Sequence, residues 1–199
     1  MSEAIDYYLT LNSPWSYLGG ARLQDIARKR GVAVNVKLVD PGRVFAVSGG
    51  LPLPKRAPQR QAYRLLELKR WSEFLSIPLT LEPAYFPADC SLATYMVLAS
   101  PSQDGDPLEL ANALGRALWA EEKNIGDPAV LKSVVNRLGL DGESLSVEAQ
   151  KPEYLKRFQD LTEEAIDARV FGMPTYIYKG EMFWGQDRLG FLERALPAA

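Results

Sequence analysis

Three short segments of the chain carry residue types that could hold an anion or a thiol. The first, Ser13-Pro14-Trp15-Ser16, follows a predicted strand and opens a predicted helix. Unpaired backbone N–H groups and the helix dipole favour an anion or a thiolate at such a point. A serine before a proline is also an ordinary helix cap followed by a first-turn residue, so the pattern leaves both interpretations open.

The second segment is Phe171-Gly172-Met173-Pro174-Thr175, at the start of a predicted strand. A Gly-X-Pro-Thr run indicates a special backbone turn, in which the bond before Pro174 is either trans, the common form, or cis. With a cis bond, Met173 would present its backbone N–H and C=O as a free edge. A peptide-like ligand could then add to that edge as a strand.

The third segment is Trp184-Gly185-Gln186-Asp187-Arg188, which places Gln186 and Asp187 at the N-terminus of the last predicted helix. A ligand carboxylate could lie on the free N–H groups there, while Asp187 binds an ammonium group. A capping aspartate with a surface Asp-Arg pair fits the same pattern. A fourth candidate is the helix that carries Arg60 and Trp71, whose cations and aromatics are also typical of a solvated face beside a core face.

Two residue types set limits on the chemistry. The 199 residues include no histidine and one cysteine, Cys90. These counts exclude histidine acid–base catalysis, Ser-His-Asp triads, histidine metal sites, disulfides within the chain and Cys-x-x-Cys redox chemistry. The groups that remain available for catalysis or binding are hydroxyls, carboxylates, Lys and Arg side chains, backbone dipoles or a bound reagent. We expect Cys90 to be inert and no metal to be bound.

The composition points to a folded protein without nucleic-acid or membrane partners. Hydrophobic residues make up 47% of the chain and charged residues 24%, and the net charge is −2. No apolar run is long enough for a membrane span. The first ten residues lack the features of a secretory signal, so we expect a cytoplasmic location.

Hydrophobic periodicity predicts an α/β order of elements. A strand over 5–11, a helix over 15–30 ending at Gly31 and a strand over 32–39 form one β-α-β unit. A loop over 40–58 follows, and after the helices come a hairpin and a last helix. The predicted helices between them cover 59–75, 91–99, 107–122, 127–138 and 152–167, and the hairpin strands cover 175–178 and 181–184. This order indicates a thioredoxin-like sheet domain, formed by 1–45 and 160–199, interrupted by a helical insertion over 46–159. A less specific interpretation is an α/β protein with a helical lid.

Taken together, the motifs resemble those of the 2-hydroxychromene-2-carboxylate isomerases. That family lies in the DsbA-like branch of the thioredoxin superfamily, close to the kappa-class glutathione transferases. The resemblance covers nearly the whole chain. Its carriers are Ser13 to Leu18, Tyr63 with Arg70-Trp71, Asp127-Pro128, Thr162 to Ala165, Val170 to Thr175 and Phe183 to Leu189.

The resemblance implies a thioredoxin-like α/β fold with an inserted all-helical domain, of the DsbA/kappa type, and glutathione as the cofactor. Ser13 would donate a hydrogen bond to the glutathione sulfur and would not act as a nucleophile. Met173, before a cis Pro174, would pair with the cysteinyl backbone. The γ-glutamyl end would bind Gln186 and Asp187, and Arg60 would hold the glycyl carboxylate.

The reaction implied is the isomerisation of 2-hydroxychromene-2-carboxylate to trans-o-hydroxybenzylidenepyruvate, a step in aromatic catabolism. The thiolate would add to the conjugated alkene, the new single bond would rotate, and the thiolate would leave. We expect Trp15, Tyr85, Phe86 and Trp119 to form apolar walls around the small aromatic substrate, and the protein to be a homodimer. Two alternatives remain: a kappa-type transferase acting on other electrophiles, and a redox-inactive binding module.

Overall fold

The two ends of the chain meet in one four-stranded sheet. The computed structural model describes residues 4–197. Strand β1 (Ile5–Leu9), helix α1 (Pro14–Arg30) and strand β2 (Val34–Leu38) form the first unit, and β3 (Thr175–Tyr178) and β4 (Glu181–Trp184) form the hairpin. The strand order is β2-β1-β3-β4. Strands β1 and β2 are parallel, and β3 is antiparallel to both β1 and β4, which agrees with the predicted thioredoxin-like topology.

Eight further helices complete the part of the chain that the structure describes, together with short 3-10 turns. Seven of them lie between the two halves of the sheet, and the eighth follows β4 after a 3-10 turn at Gln186–Arg188. They are α2 (Pro41–Ser48), α3 (Pro58–Leu75), α4 (Ser91–Ala99), α5 (Pro107–Trp119), α6 (Pro128–Arg137), α7 (Gly142–Glu148), α8 (Pro152–Asp167) and α9 (Leu189–Ala195). None of the helices within residues 4–197 has both the length and the apolar character that crossing a membrane requires.

Four helices begin with the same local chemistry: a capping side chain followed by proline. In each, the cap residue is extended and its oxygen accepts a hydrogen bond from a first-turn N–H. Proline fits the next position because that residue has no N–H partner inside the helix and its φ is already helical. The pairs are Ser13-Pro14, Asp40-Pro41, Asp106-Pro107 and Asp127-Pro128.

The predicted loop over 40–58 is wrong in its first half, because α2 occupies Pro41–Ser48. The Asp40 carboxylate accepts from the Gly42 N–H at 2.7 Å and starts the helix. Val44 is its one buried residue, so eight residues carry almost no apolar periodicity. Helix α7 was not predicted for a similar reason: it has seven residues and is started by the Asp141 cap.

The sheet is covered on both faces, and adjacent residues of β1 face opposite sides. Tyr7 stacks on Tyr176, with ring centres 5.1 Å apart, in the larger apolar cluster. Tyr8 lies in the smaller cluster with Val44 and Met173. The same cluster therefore holds the segment before β3 against the sheet. The predicted limits of the helical insertion, at residues 46 and 159, fall within α2 and α8 and stay a prediction.

A charged cluster joins β1, β2 and α8 beside Tyr8. The Lys37 ammonium lies 3.0 Å from the Asp6 carboxylate and also contacts Glu164. The Tyr8 hydroxyl donates to Glu164 at 2.9 Å. Burial, together with that hydrogen bond, raises the pKa of Tyr8 to about 12.

This raised pKa predicts a fall of stability in alkaline solution. An unfolded tyrosine ionises near pH 10, whereas folded Tyr8 holds its proton until about pH 12. The contribution of Tyr8 to the free energy of unfolding is thus complete below pH 10 and is lost as the pH rises to 12. Tyr8→Phe should cost about 1 kcal/mol at neutral pH and should flatten the fall between pH 10 and 12. Urea unfolding across a pH series measures both effects, with the exposed Tyr85→Phe as control; an unchanged slope in Tyr8→Phe would contradict the prediction.

Candidate functional site

A cleft of about 860 Å³ opens where both halves of the sheet meet the helices. This volume lies within the range of small-molecule sites. Its walls are the start of α1, the end of α2 with the following loop, one face of α3, the segment before β3 and the turn after β4. The lining includes Trp15, Phe45, Ser48, Arg56, Arg60, Tyr63, Arg64, Trp71, Met173, Pro174, Trp184, Gln186 and Asp187.

Ser13 lies just behind this lining, at the N-terminus of α1. Its Oγ accepts a hydrogen bond from the Ser16 N–H at 3.2 Å, and its hydroxyl donates to the Met173 carbonyl at 3.4 Å. The second distance is long for an O–H···O bond, so that bond is weak. The side chain is 8% exposed. The capping bond uses a lone pair of the oxygen, and the proton therefore stays free to move to a better acceptor.

The Met173–Pro174 peptide bond, for which the sequence left both isomers open, is cis. Both residues line the cleft. Among residues 4–197, the Met173 N–H has no hydrogen-bond acceptor. The Pro174 carbonyl accepts from the Gly185 N–H at 2.9 Å, which joins this segment to the turn after β4. A Cβ on Gly172 would lie 2.5 Å from the Trp184 indole nitrogen, so only glycine allows this close approach.

Gln186 and Asp187 lie in the 3-10 turn between β4 and α9. The turn begins at Gly185, whose φ of 102° favours glycine. Gln186 is 2% exposed, and Arg22 of α1 donates to its side-chain oxygen at 2.7 Å and to its carbonyl at 3.2 Å. Asp187 is exposed on the cleft and lies 3.3 Å from Arg188. Sequence reasoning missed Arg22 because its partner is 164 residues away and no local motif marks it.

One wall of the cleft is rich in arginine. Arg56 donates to the Leu51 carbonyl at 2.7 Å, and the Arg64 guanidinium lies 5.6 Å from the centre of the Phe86 ring. Burial, followed by the positive charge of Arg60, lowers the pKa of Arg56. Burial and the charge of Arg56 likewise lower the pKa of Arg64. The wall is thus a place of unneutralised positive charge.

Three of the four aromatic residues expected along the substrate pocket lie elsewhere. Trp15 lines the cleft. Trp119 is fully buried, and its indole N–H donates to the Leu11 carbonyl at 3.3 Å. Phe86 packs against it at 4.9 Å, and Tyr85 is exposed outside the cleft lining. The packing of α5, chiefly against α1, and the hydrogen bond to Leu11 turn Trp119 into the core. The aromatic lining consists of Trp15, Phe45, Tyr63, Trp71, Phe171 and Trp184.

Five of the six residues predicted as catalytic or cofactor-binding line the cleft, and the sixth, Ser13, lies behind it. Arg60 comes from α3, and the remaining five come from the segment before β3, from the turn after β4 and from Ser13 behind them. The cleft itself is lined by Arg60, Met173, Pro174, Gln186 and Asp187, while Ser13 reaches it through its contact with Met173. The structure brings these residues together, and their roles stay a prediction.

Cys90 takes no part in the cleft. Burial, followed by the charge of Asp89, raises the pKa of its thiol to about 12, so the thiol is protonated at neutral pH and is a poor nucleophile. Within the part of the chain that the structure describes, no group of three or more acidic or cysteine side chains is placed to hold a metal ion.

Comparisons with known proteins identify the family. The family model of the DSBA-like thioredoxin domain matches residues 4–197. The 2-hydroxychromene-2-carboxylate isomerase of Sphingobium xenophagum is 27% identical over 98% of this chain and 99% of its own length. Glutathione S-transferase kappa 1 of Caenorhabditis elegans is also 27% identical, over 92% of this chain and 86% of its own.

A solved structure of a 2-hydroxychromene-2-carboxylate isomerase superposes with a TM-score of 0.83 at 27% identity, covering 96% of this chain and 93% of the other. The resemblance drawn from the sequence motifs and the predicted thioredoxin-like fold with a helical insertion are both confirmed. The chain belongs to the family of DSBA-like thioredoxin domains.

Proposed function

We propose that the protein is a glutathione-dependent isomerase that interconverts 2-hydroxychromene-2-carboxylate and trans-o-hydroxybenzylidenepyruvate. Relatives that carry the name of this isomerase span the full chain, which supports the reaction class. The observation that carries the proposal is the position of the Ser13 hydroxyl, at the N-terminus of α1 and 3.4 Å from the Met173 carbonyl. A sulfur anion placed there would meet a hydroxyl donor and the positive end of a helix.

The cleft offers a partner for each polar part of a γ-glutamyl tripeptide. The Met173 N–H, with no acceptor among residues 4–197, faces a cleft in which an extended peptide backbone could pair with it. The exposed Asp187 carboxylate suits the ammonium group of the γ-glutamyl end, and the turn at Gln186 suits its carboxylate. Arg60, exposed on α3, suits the glycyl carboxylate.

Ser13 serves as a hydrogen-bond donor in this account. The Ser16 N–H already occupies one lone pair of its oxygen, and the weak bond to Met173 is readily exchanged for one to a charged sulfur. A hydrogen bond to the ionised form lowers the pKa of a thiol, and the helix terminus acts in the same direction. The chain contains no histidine that could deprotonate Ser13 for attack.

Glutathione, when bound, supplies the thiolate that adds to the conjugated double bond and leaves again after rotation about the new single bond. Opening of the hemiketal ring of the substrate breaks the bond between C2 and the ring oxygen and moves one proton from the 2-hydroxyl to that oxygen. The reaction therefore takes up and releases no net proton, and the sulfur returns to the state in which it began. Ser13 stabilises the sulfur charge at both ends of the cycle. The aromatic walls, including Trp15 and Trp71, hold the apolar part of the substrate away from water.

A kappa-type transferase acting on other electrophiles is the second candidate, supported by the Caenorhabditis elegans relative. It would use the same cleft but release the conjugate rather than eliminate the thiolate. Incubation of glutathione with 2-hydroxychromene-2-carboxylate separates the two. An isomerase yields the trans pyruvate with all glutathione recovered, whereas a transferase consumes glutathione in proportion to product. A binding module without catalytic function would give neither result, and absence of glutathione binding in calorimetry would contradict the proposed function.

Replacement of Ser13 tests the donor role. Ser13→Ala should lower the rate of isomerisation about 10- to 100-fold, the effect of removing one hydrogen bond to a charged group. The loss of the helix cap should also cost about 1 kcal/mol of stability, so folding is checked by thermal unfolding. Ser13→Thr keeps a hydroxyl and should keep most of the rate. Ser48→Ala removes an exposed serine from the same cleft and serves as control; equal rates for Ser13→Ala and Ser48→Ala would refute the donor role.

Arg22 tests the γ-glutamyl end of the cleft. Its two hydrogen bonds fix Gln186 and thereby the turn that carries Asp187. Arg22→Met should weaken glutathione binding about tenfold, because the turn loses both bonds. The control is Arg28→Met, which removes an exposed arginine of the same helix whose partner is Asp25. Calorimetric titration of both variants with glutathione measures the effect. Equal glutathione affinities would show that Arg22 does not position the γ-glutamyl end of the site.

A homodimeric assembly, a cytoplasmic location and a place in aromatic catabolism belong to the same proposal. The assembly and the catabolic role come from the sequence resemblance, the location rests on other features of the sequence, and all three stay predictions. The small aromatic acid is likewise the proposed substrate by resemblance to the named relatives.

A further inference from the structure

The arginine wall carries more positive charge than its surroundings neutralise. Arg60 and Arg64 are four residues apart on α3 and thus share a helix face, and Arg56 lies just before that helix. Among residues 4–197, none of the three has a carboxylate within ion-pair distance. Two acids that line the same cleft lie beside other arginines: Glu67 pairs with Arg70 at 2.6 Å, and Asp187 lies 3.3 Å from Arg188.

Two of these guanidinium groups are already held in place. Arg64 lies over the Phe86 ring, and Arg56 is anchored to the Leu51 carbonyl. Both are partly buried. Burial is the main cause that lowers their pKa values, and the charge of Arg60 on Arg56 and of Arg56 on Arg64 adds to it, so a bound anion would favour the charged form of both. Since the side chains are held before any ligand arrives, little conformational entropy is lost when one binds.

The arginine pair adjoins an aromatic surface. Trp15, Phe45, Tyr63 and Trp71 line the same cleft as Arg56 and Arg64. Tyr63 and Arg64 are adjacent on α3, and Trp71 lies two turns further along the helix. A ligand with a flat ring and an acidic group would therefore find an apolar surface and a fixed cation pair side by side.

Glutathione has two carboxylates, which the proposed function assigns to the turn at Gln186 and to Arg60. Arg56 and Arg64 are then two cationic side chains of the cleft to which no group of glutathione is assigned. We propose that Arg56 and Arg64 form a second anion site, which binds the carboxylate of the aromatic electrophile and selects acids over neutral analogues. This inference rests on the proposed function for the identity of the reaction and on the arginine pair for the choice of substrate.

Calorimetry with an unreactive pair of probes tests the site directly. trans-Cinnamate and cinnamamide share the ring and the double bond and differ in charge. The wild-type protein should bind cinnamate at least about tenfold more tightly than cinnamamide. Arg64→Met keeps the apolar contact with Phe86 but removes the charge, and it should abolish most of that preference. Lys69→Gln removes one charge from an exposed position of the same helix and should leave the preference unchanged.

The inference is overturned if wild-type protein binds the two probes equally or binds neither, or if Arg64→Met and Arg56→Met both keep the full preference. A separate titration with glutathione reports on the proposed function. If the wild-type protein does not bind glutathione but prefers cinnamate to cinnamamide, the glutathione-dependent reaction is refuted and the anion site is supported. Normal glutathione affinity without the preference would refute the anion site alone.

Discussion

The hydrogen bond between the Ser13 hydroxyl and the Met173 carbonyl joins the two halves of the molecule at the point where chemistry is proposed. The residues are 160 positions apart. They meet because β1 and β3 are antiparallel neighbours in the sheet. The segment after β1 and the segment before β3 therefore lie at the same end of these two strands. The bond is long enough to be exchanged. A proton that is held loosely in the free protein is therefore available to a ligand in the complex.

Much of this arrangement could be predicted from the chain. The cap at Ser13 and the helix end at Gly31 are local, because a few adjacent residues decide them, and the structure has both where expected. Sheet topology followed from the order of elements. Helix α2 was not predicted, because a helix with one buried residue in eight shows no clear hydrophobic periodicity in the sequence. Residues that meet across the fold, such as Arg22 and Gln186, leave no pattern in either segment.

The aromatic residues show the same limit. Trp15 lines the cleft because it lies two residues after Ser13 at the start of α1. Trp119 and Phe86 instead form part of the core, and Phe86 acts on the cleft only through its contact with Arg64. Which face of a helix meets the sheet depends on packing with distant elements. A guess from residue type alone could not choose between Trp119 and Trp71.

The most direct measurement of the account is the pKa of the glutathione thiol in the complex, followed by the ultraviolet absorbance of the thiolate during a pH titration. Ser13 and the N-terminus of α1 should bring that pKa at least about one unit below the value near 8.5 of a free thiol. In the Ser13→Ala complex it should move back towards the free value. A bound thiol that titrates like free glutathione in both proteins would contradict the central claim that the Ser13 hydroxyl stabilises a sulfur anion.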